Sequence, residues 1–141
     1  MAEFKNAAVK LMVVMRKAFR TIDTKVSESY KEDNLTAAQF AVLDVLYAKG
    51  QMKIGELIDN VLATSGNMTV VIKNMEKKGW VSRRTSPDDR RAYLVDLTDK
   101  GRQVIEHALP AHIQKIEDVF SLLSEREQEE LTALLKRFKD L

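Results

Sequence analysis

Residues 81–98 have the sequence Val-Ser-Arg-Arg-Thr-Ser-Pro-Asp-Asp-Arg-Arg-Ala-Tyr-Leu-Val-Asp-Leu-Thr. A short basic strand comes first, followed by a six-residue loop that carries Pro87 and two aspartates. The second strand opens on Arg90 and Arg91. Alternate positions of that strand are apolar, namely Tyr93, Val95 and Leu97, as expected when one face packs on a core. The sequence therefore predicts a β-hairpin with arginines beside its tip.

An amphipathic helix is predicted directly before the hairpin. Thr64 is a suitable N-cap for it, and Gly79 suits a left-handed C-terminal stop. Its apolar positions, Met68, Val71, Ile72 and Met75, follow the i, i+3, i+4, i+7 spacing and are expected to face the core. A short helix is predicted at 54–60, before this amphipathic helix. A three-residue connection separates the short helix from the preceding one, which stops at Gly50. The short helix and the amphipathic helix together predict a helix-turn-helix.

The rest of the chain is predicted to be helical. Residues 3–32 form one long amphipathic helix, and a capping box at Thr36 and Gln39 opens a mostly apolar helix that stops at Gly50. Thr98 caps the next helix, in which Pro110 is expected to cause a kink near 106–110. A second capping box at Ser124 and Glu127 opens the last helix.

The predicted fold is mainly α with a small β-hairpin wing. Residues 1–141 are expected to form a single domain, with a winged helix-turn-helix at 35–99 between N-terminal (1–34) and C-terminal (100–141) dimerisation helices. The helices at both ends carry more apolar surface than one winged domain can cover. A twofold homodimer in which the termini of two copies interleave is the commonest solution.

Composition removes several classes of protein. A chain of 141 residues with no cysteine has no disulfide, thiolate metal site or cysteine nucleophile, and it suits the cytoplasm. The apolar run at 11–15 is too short for a signal peptide or a membrane span. His107 and His112 do not share a helix face, so neither a metal nor a cofactor is expected. No phosphate-binding glycine loop or catalytic motif is recognisable, so an enzyme is not expected.

Charge is concentrated around the hairpin. The net charge is only +2, but residues 64–91 carry seven basic against three acidic side chains, whereas the start of the last helix is acidic. Short polar side chains on a protruding helix are what a DNA major groove accepts, and nearby cations suit phosphates. The predicted DNA-binding residues are Ser65, Asn67, Thr69, Val70, Lys73, Asn74, Lys77, Arg83, Arg84, Asp89, Arg90 and Arg91. Among them, Lys77, Arg83 and Arg84 are interpreted as phosphate contacts.

Asp89 and Arg91 lie two positions apart on an extended segment, so both are expected to point to the same side. The carboxylate would then hold the guanidinium in position. An arginine that is already aligned enters a narrow minor groove at a lower cost than a free one.

The segment Asp89-Arg90-Arg91 followed by Leu97-Thr98-Asp99-Lys100-Gly101 resembles the Asp-x-Arg…Leu-Thr-x-x-Gly signature of the MarR family of bacterial transcription factors. The segments 64–69 and 76–81 are similar to that family's recognition helix and to the residues that follow it. Residues 35–40 and the opening of the last helix also resemble the family's sequence pattern. The resemblance implies an obligate triangular dimer, a near-palindromic operator, and repression relieved by a ligand. It also implies that Arg91 is the minor-groove arginine and Asp89 its orienting partner.

The same resemblance suggests a ligand pocket where the winged domain meets the dimer helices. The candidates are Met12, Arg16 and Phe19 on the first helix and Phe40, Leu43 and Tyr47 on the second. An arginine among aromatic and thioether groups would suit a small lipophilic or phenolic acid effector.

The sequence thus predicts a homodimeric, sequence-specific regulator of transcription that occupies double-stranded operator DNA, acts as a repressor, and is released by a small molecule. Winged helices also serve as protein–protein interaction modules without DNA binding, and that alternative stays open. The regulated genes, the operator sequence and the effector are not specified by the sequence.

Overall fold

The structure is a computed structural model that describes residues 6–61, 67–139 and 141. The elements in chain order are α1 (Ala7–Lys31), α2 (Ala37–Lys49), β1 (Met52–Lys53), α3 (Ile54–Asn60), α4 (Met68–Lys77), β2 (Val81–Thr85), β3 (Tyr93–Leu97), α5 (Asp99–Phe120) and α6 (Glu125–Lys136). The predicted fold class, helices with a small β wing, is confirmed. In the described ranges, no helix is both long and apolar enough to span a membrane.

The chain divides into two compact units. One, the winged unit, contains Tyr30–Ala111, and the other, the helical unit, contains the residues up to Ser29 together with His112–Leu141. The boundaries fall within α1 and α5. Each unit is described by itself.

The core of the winged unit is formed by the apolar faces of its helices and of its sheet. Among the described residues, the apolar ones with at most 2% exposure are Val42, Leu43, Leu46, Leu57, Ile72, Met75, Val81, Val95, Ile105 and Ala108. The predicted capping box at the start of α2 is present, with the Gln39 N–H donating to Thr36 Oγ1 and the Thr36 N–H to Gln39 Oε1, each over 3.1 Å. Gly50 ends α2 with a φ of 83°.

The connection between α2 and α3 contains a strand that the sequence did not predict. Met52 pairs with Val95 and Lys53 with Leu94, so β1 joins the hairpin in an antiparallel sheet of order β1-β3-β2. A two-residue strand carries no alternation pattern of its own, and its partner is about forty residues away in the sequence. The wing is therefore attached to the helices by a third strand.

The exit of α4 and the start of α5 are tied together. Gly79 has a φ of 78°, as predicted for a left-handed stop, and Trp80 N–H donates to Met75 O over 3.0 Å. The Thr98 hydroxyl donates to Gly79 O and accepts from Gly101 N–H, which confirms Thr98 as the cap of α5. A Cβ on Gly101 would lie 2.0 Å from Trp80 O, so only glycine fits.

The helical unit contains α1 as far as Ser29, α5 from His112 onward, and α6. The predicted capping box of α6 is present: Glu127 N–H donates to Ser124 Oγ, and Ser124 N–H donates to Glu127 Oε1. α6 has no buried residue. α1 begins at Ala7 within the predicted 3–32, of which 3–5 lie outside the described residues. α5 continues through Pro110, and the kink predicted there stays a prediction.

Candidate nucleic-acid interface

The helix α4 begins three residues later than the sequence indicated. The predicted cap at Thr64 is wrong: the N-cap is Asn67, whose Oδ1 accepts the Thr69 N–H over 3.0 Å. An asparagine caps a helix as well as a threonine does, and residue propensity alone does not choose between two nearby caps. Thr64, Ser65 and Gly66 lie outside the described residues, so the predicted role of Ser65 stays a prediction.

The two faces of α4 differ sharply. Met68, Ile72 and Met75 are buried, and Val71 packs partly against the core, as predicted. The opposite surface of α4 is exposed and consists of Asn67, Thr69, Val70, Lys73, Asn74 and Lys77. Val70 is 49% exposed, so its methyl groups are accessible on the same surface. The predicted base-reading residues that the structure describes therefore share one accessible surface.

The wing presents its arginines at the loop between β2 and β3. Arg90 and Arg91 are exposed, and neither makes an ion pair with any residue that the structure describes. The loop is ordered by backbone bonds, with Ser86 N–H donating to Ala92 O over 2.9 Å and Ala92 N–H to Asp89 O over 3.0 Å. Two exposed guanidinium groups at the end of a hairpin are suited to contact an anionic groove.

Asp89 acts on the backbone of the loop. Its Oδ1 accepts the Arg91 N–H over 2.9 Å, and the expected ion pair with the Arg91 guanidinium is not formed in this structure, although both residues are described. A short aspartate side chain reaches the backbone amide two residues onward more readily than it reaches a long side chain. Asp89 therefore orders the turn from which Arg91 projects.

Arg83 and Arg84 have partners within the protein. The Arg83 side chain, 25% exposed, donates from Nε to Glu76 Oε2 over 3.2 Å, and its guanidinium lies 5.0 Å from the centre of the Tyr93 ring. Arg84 donates from an Nη atom to Gln51 Oε1 over 3.0 Å. Glu76, Tyr93 and Gln51 were not among the predicted site residues. Strand alternation offered a signal for Arg83, because it shares a strand face with the apolar Val81.

The six candidate ligand residues lie in both units. Met12, Arg16 and Phe19 are exposed on α1 in the helical unit. In the winged unit, Phe40 and Leu43 are core residues of α2. Phe40 stacks on Tyr30 with ring centres 4.9 Å apart. The Arg102 guanidinium lies over the ring of Tyr47. Leu43 is fully buried, so a ligand would reach it only by displacing core side chains. The pocket stays a prediction.

Comparison with known proteins identifies the family. The sequence pattern of the MarR family matches residues 35–93, from the residue before the α2 N-cap to the first residue of β3. The HTH-type transcriptional regulator MhqR of Bacillus subtilis is 35% identical over 130 residues, which cover 92% of this chain and 90% of MhqR. The chain belongs to the MarR family. It is a transcription regulator with a winged-helix fold, and the resemblance noted in the sequence is confirmed.

Solved structures of MarR-family proteins have the same fold. A mutant of MarR from E. coli, crystallised with operator DNA, superposes with a TM-score of 0.83 at 26% identity, covering 96% of this chain and 98% of that one. Bordetella bronchiseptica BpsR, described as regulated in its DNA binding by 6-hydroxynicotinic acid, superposes with a TM-score of 0.81 at 25% identity, covering 92% and 98%. In this MarR-family chain, α4 and the wing both present exposed polar and basic side chains.

Proposed function

We propose that this protein is a sequence-specific, double-stranded DNA-binding repressor. The observation that carries the proposal is the combination, within the winged unit, of the exposed polar surface of α4 with a hairpin that ends in Arg90 and Arg91. A helix of this kind fits the major groove, and an arginine-tipped hairpin fits the adjacent minor groove. The structure of E. coli MarR in complex with operator DNA supports DNA binding as the activity.

The exposed residues of α4 divide by chemistry. Thr69, Lys73 and Asn74 carry groups that pair with base edges, while the Val70 methyls suit a thymine methyl. Asn67 has its Oδ1 occupied by the cap, so its contribution is the amide nitrogen and the placement of the first turn. Lys77 in the last turn is best suited to a phosphate. Sequence choice is therefore assigned to the middle of α4, and Ser65 remains a candidate.

The proposed active form is a homodimer built through the helical unit. The exposed large apolar side chains on α1, on α6 and just after α6 are Val9, Leu11, Met12, Val14, Met15, Phe19, Leu131, Leu134, Leu135 and Phe138. An open apolar groove of about 810 Å³ lies between the helices of this unit, lined by Val14, Ile22, Val119, Phe120 and Leu131 among others. So much exposed apolar surface is typical of an interface. Sedimentation equilibrium is expected to give twice the 16.1 kDa chain mass, and a single-chain mass would contradict the homodimer.

Release by a small molecule is the proposed regulation. The regulation of BpsR by 6-hydroxynicotinic acid supports an aromatic acid as the chemical class, and Arg16 is the candidate cation for its carboxylate. Benzoate and hydroxybenzoates titrated into the protein–DNA complex are expected to lower the bound fraction. If no such compound produces heat on titration or weakens DNA binding, the proposed effector class is wrong.

The DNA-binding proposal is tested by fluorescence anisotropy. The labelled duplex is the region upstream of this protein's own gene, and a shuffled duplex of the same length and composition is the control. We expect tighter binding to the upstream region, with affinity falling steeply as salt rises. Equal binding to both duplexes would contradict sequence specificity. Binding to neither duplex would favour the alternative of a protein–protein interaction module.

A further inference from the structure

Glu76, Arg83 and Tyr93 form a chain of contacts that joins α4 to both long strands of the wing. Arg83 on β2 donates to Glu76 on α4 over 3.2 Å, and its guanidinium lies against the ring of Tyr93 on β3. The Glu76 and Arg83 side chains are 36% and 25% exposed, so both are partly shielded from water. These three residues are here named the α4–wing brace.

The direction of the Arg83 side chain follows from strand alternation. Arg83 lies two residues after the buried Val81 and pairs across the strands with Val95, which has no exposed surface. Side chains two apart on a strand point to the same face, so Arg83 starts on the core face and extends along it to α4. Arg84 starts on the opposite face and contacts Gln51.

We infer that Arg83 is a positioning residue, which with Glu76 and Tyr93 fixes the orientation of the wing relative to α4, and that it is not a phosphate contact. The inference rests on the proposed function, because it concerns how two DNA-reading elements are aligned. A hairpin is flexible about its attachment, and a reading element that is held in place before binding loses less conformational entropy when the complex forms. This inference also gives Glu76 a role, because its carboxylate holds Arg83. A glutamate that faced the phosphates of DNA would only repel them.

The two possible roles of Arg83 predict opposite effects of the same substitution. If Arg83 contacts a phosphate, Glu76→Gln removes a competing carboxylate and a negative charge, so DNA binding strengthens. If Arg83 belongs to the brace, Glu76→Gln loosens the wing, and DNA binding weakens despite the more favourable net charge. The sign of the change therefore distinguishes a phosphate contact from a brace.

The experiment measures affinity by fluorescence anisotropy at several salt concentrations. For Glu76→Gln and Arg83→Gln we expect binding about two- to fivefold weaker, the range set by partly exposed ion pairs, with the salt slope unchanged. The double variant, which has the wild-type net charge, is expected to bind no more weakly than the single ones. Glu106→Gln is the matched control, because Glu106 is exposed on α5 and the charge change is the same.

Two results would overturn the inference. One is tighter binding by Glu76→Gln than by the Glu106→Gln control, and the other is a salt slope lowered by about one in Arg83→Gln, as for a lost phosphate contact. Tyr93→Phe keeps the ring and is expected to bind like wild type, whereas Tyr93→Leu is expected to bind like Glu76→Gln. Equal binding by both Tyr93 variants would remove Tyr93 from the brace.

Thermal melts of every variant separate loosening of the wing from loss of the fold. Variants that melt within a few degrees of wild type but bind DNA more weakly support the brace. A weakening seen only in variants that are already partly unfolded at the assay temperature would contradict it. If the wild-type protein binds no duplex, the proposed function fails first, and the inference fails with it.

Discussion

Arg91 is the residue on which the proposed minor-groove contact depends. It is exposed at the wing, and its own backbone N–H is fixed by Asp89. We expect Arg91→Ala to weaken operator binding by about 1–3 kcal/mol, the usual worth of one good groove contact. Arg126→Ala, on the acidic helix α6, is the matched control and is expected to bind like wild type. Equal affinity of Arg91→Ala and wild type across salt concentrations would exclude the wing from the interface.

Gly101 shows why the signature glycine is needed. Its missing side chain allows Trp80 O to approach where the hairpin leads into α5. Gly101→Ala is expected to destabilise the protein by about 1–3 kcal/mol, as overpacking does. Gly55→Ala, where a Cβ meets nothing within 4 Å, is the control and is expected to be neutral or stabilising by up to about 1 kcal/mol. Urea unfolding compares the two, and equal midpoints would contradict the close contact at Trp80.

At the residue scale, the sequence predicted exposure better than it predicted partners. The polar surface of α4 followed from helical periodicity, which depends only on local spacing. The contacts of Arg83 with Glu76 and of Arg84 with Gln51 depend on how α4 and β1 pack against the hairpin, so neither was predicted. Asp89 was correctly placed near Arg91, but the atom that it contacts is the backbone nitrogen.

Helix caps are the element-scale features that the sequence specified best, because a cap involves residues only three positions apart. Thr36→Ala removes the hydroxyl that accepts the Gln39 N–H at the start of α2, and it is expected to cost about 1 kcal/mol of unfolding free energy. Thr132→Ala removes a hydroxyl that bonds to Gln128 O inside α6, and it is expected to be neutral because alanine favours a helix. Equal losses in the two variants, measured by urea unfolding, would argue against the α2 cap.

The α6 cap also gives stability a pH dependence. The backbone N–H of Ser124 donates to Glu127, and this bond and the Ser124 side chain hold the pKa of the Glu127 carboxyl below its ordinary value. A carboxyl with a lowered folded-state pKa stabilises the fold above its unfolded-state pKa of about 4.3, and the gain disappears as pH falls through the folded value. Glu127→Gln is therefore expected to melt below wild type at pH 6, with the difference shrinking toward pH 3. A constant difference across that range would contradict the charged cap.

The sequence did not predict an element whose formation depends on pairing with a distant part of the chain. β1 consists of only two residues and exists because β3 lies beside it. The start of α4 is set by Asn67, and both Thr64 and Asn67 are acceptable caps on local grounds. The α2, α5 and α6 starts, by contrast, were predicted to the residue that caps each helix.

At the scale of the whole molecule, the sequence predicted the family, the winged helix-turn-helix and the excess of apolar surface on the terminal helices. We propose that the winged unit binds DNA and that the helical unit binds the second copy of the chain in the homodimer. α6 supports this assignment, because it has apolar residues along one side and no buried residue in the single chain. Effector binding is the least specified feature, since the candidate residues lie in both units.

The most direct test is selection of bound duplexes from a random-sequence library by the wild-type protein, followed by sequencing. A dimer that places two copies of α4 in successive major grooves is expected to enrich a near-palindrome with half-site centres about 10–10.5 base pairs apart. The enrichment is expected to be lost with Arg91→Ala and kept with Arg126→Ala. Failure to enrich any motif, or enrichment of a single asymmetric half-site, would contradict the proposed binding of DNA by a twofold-symmetric dimer.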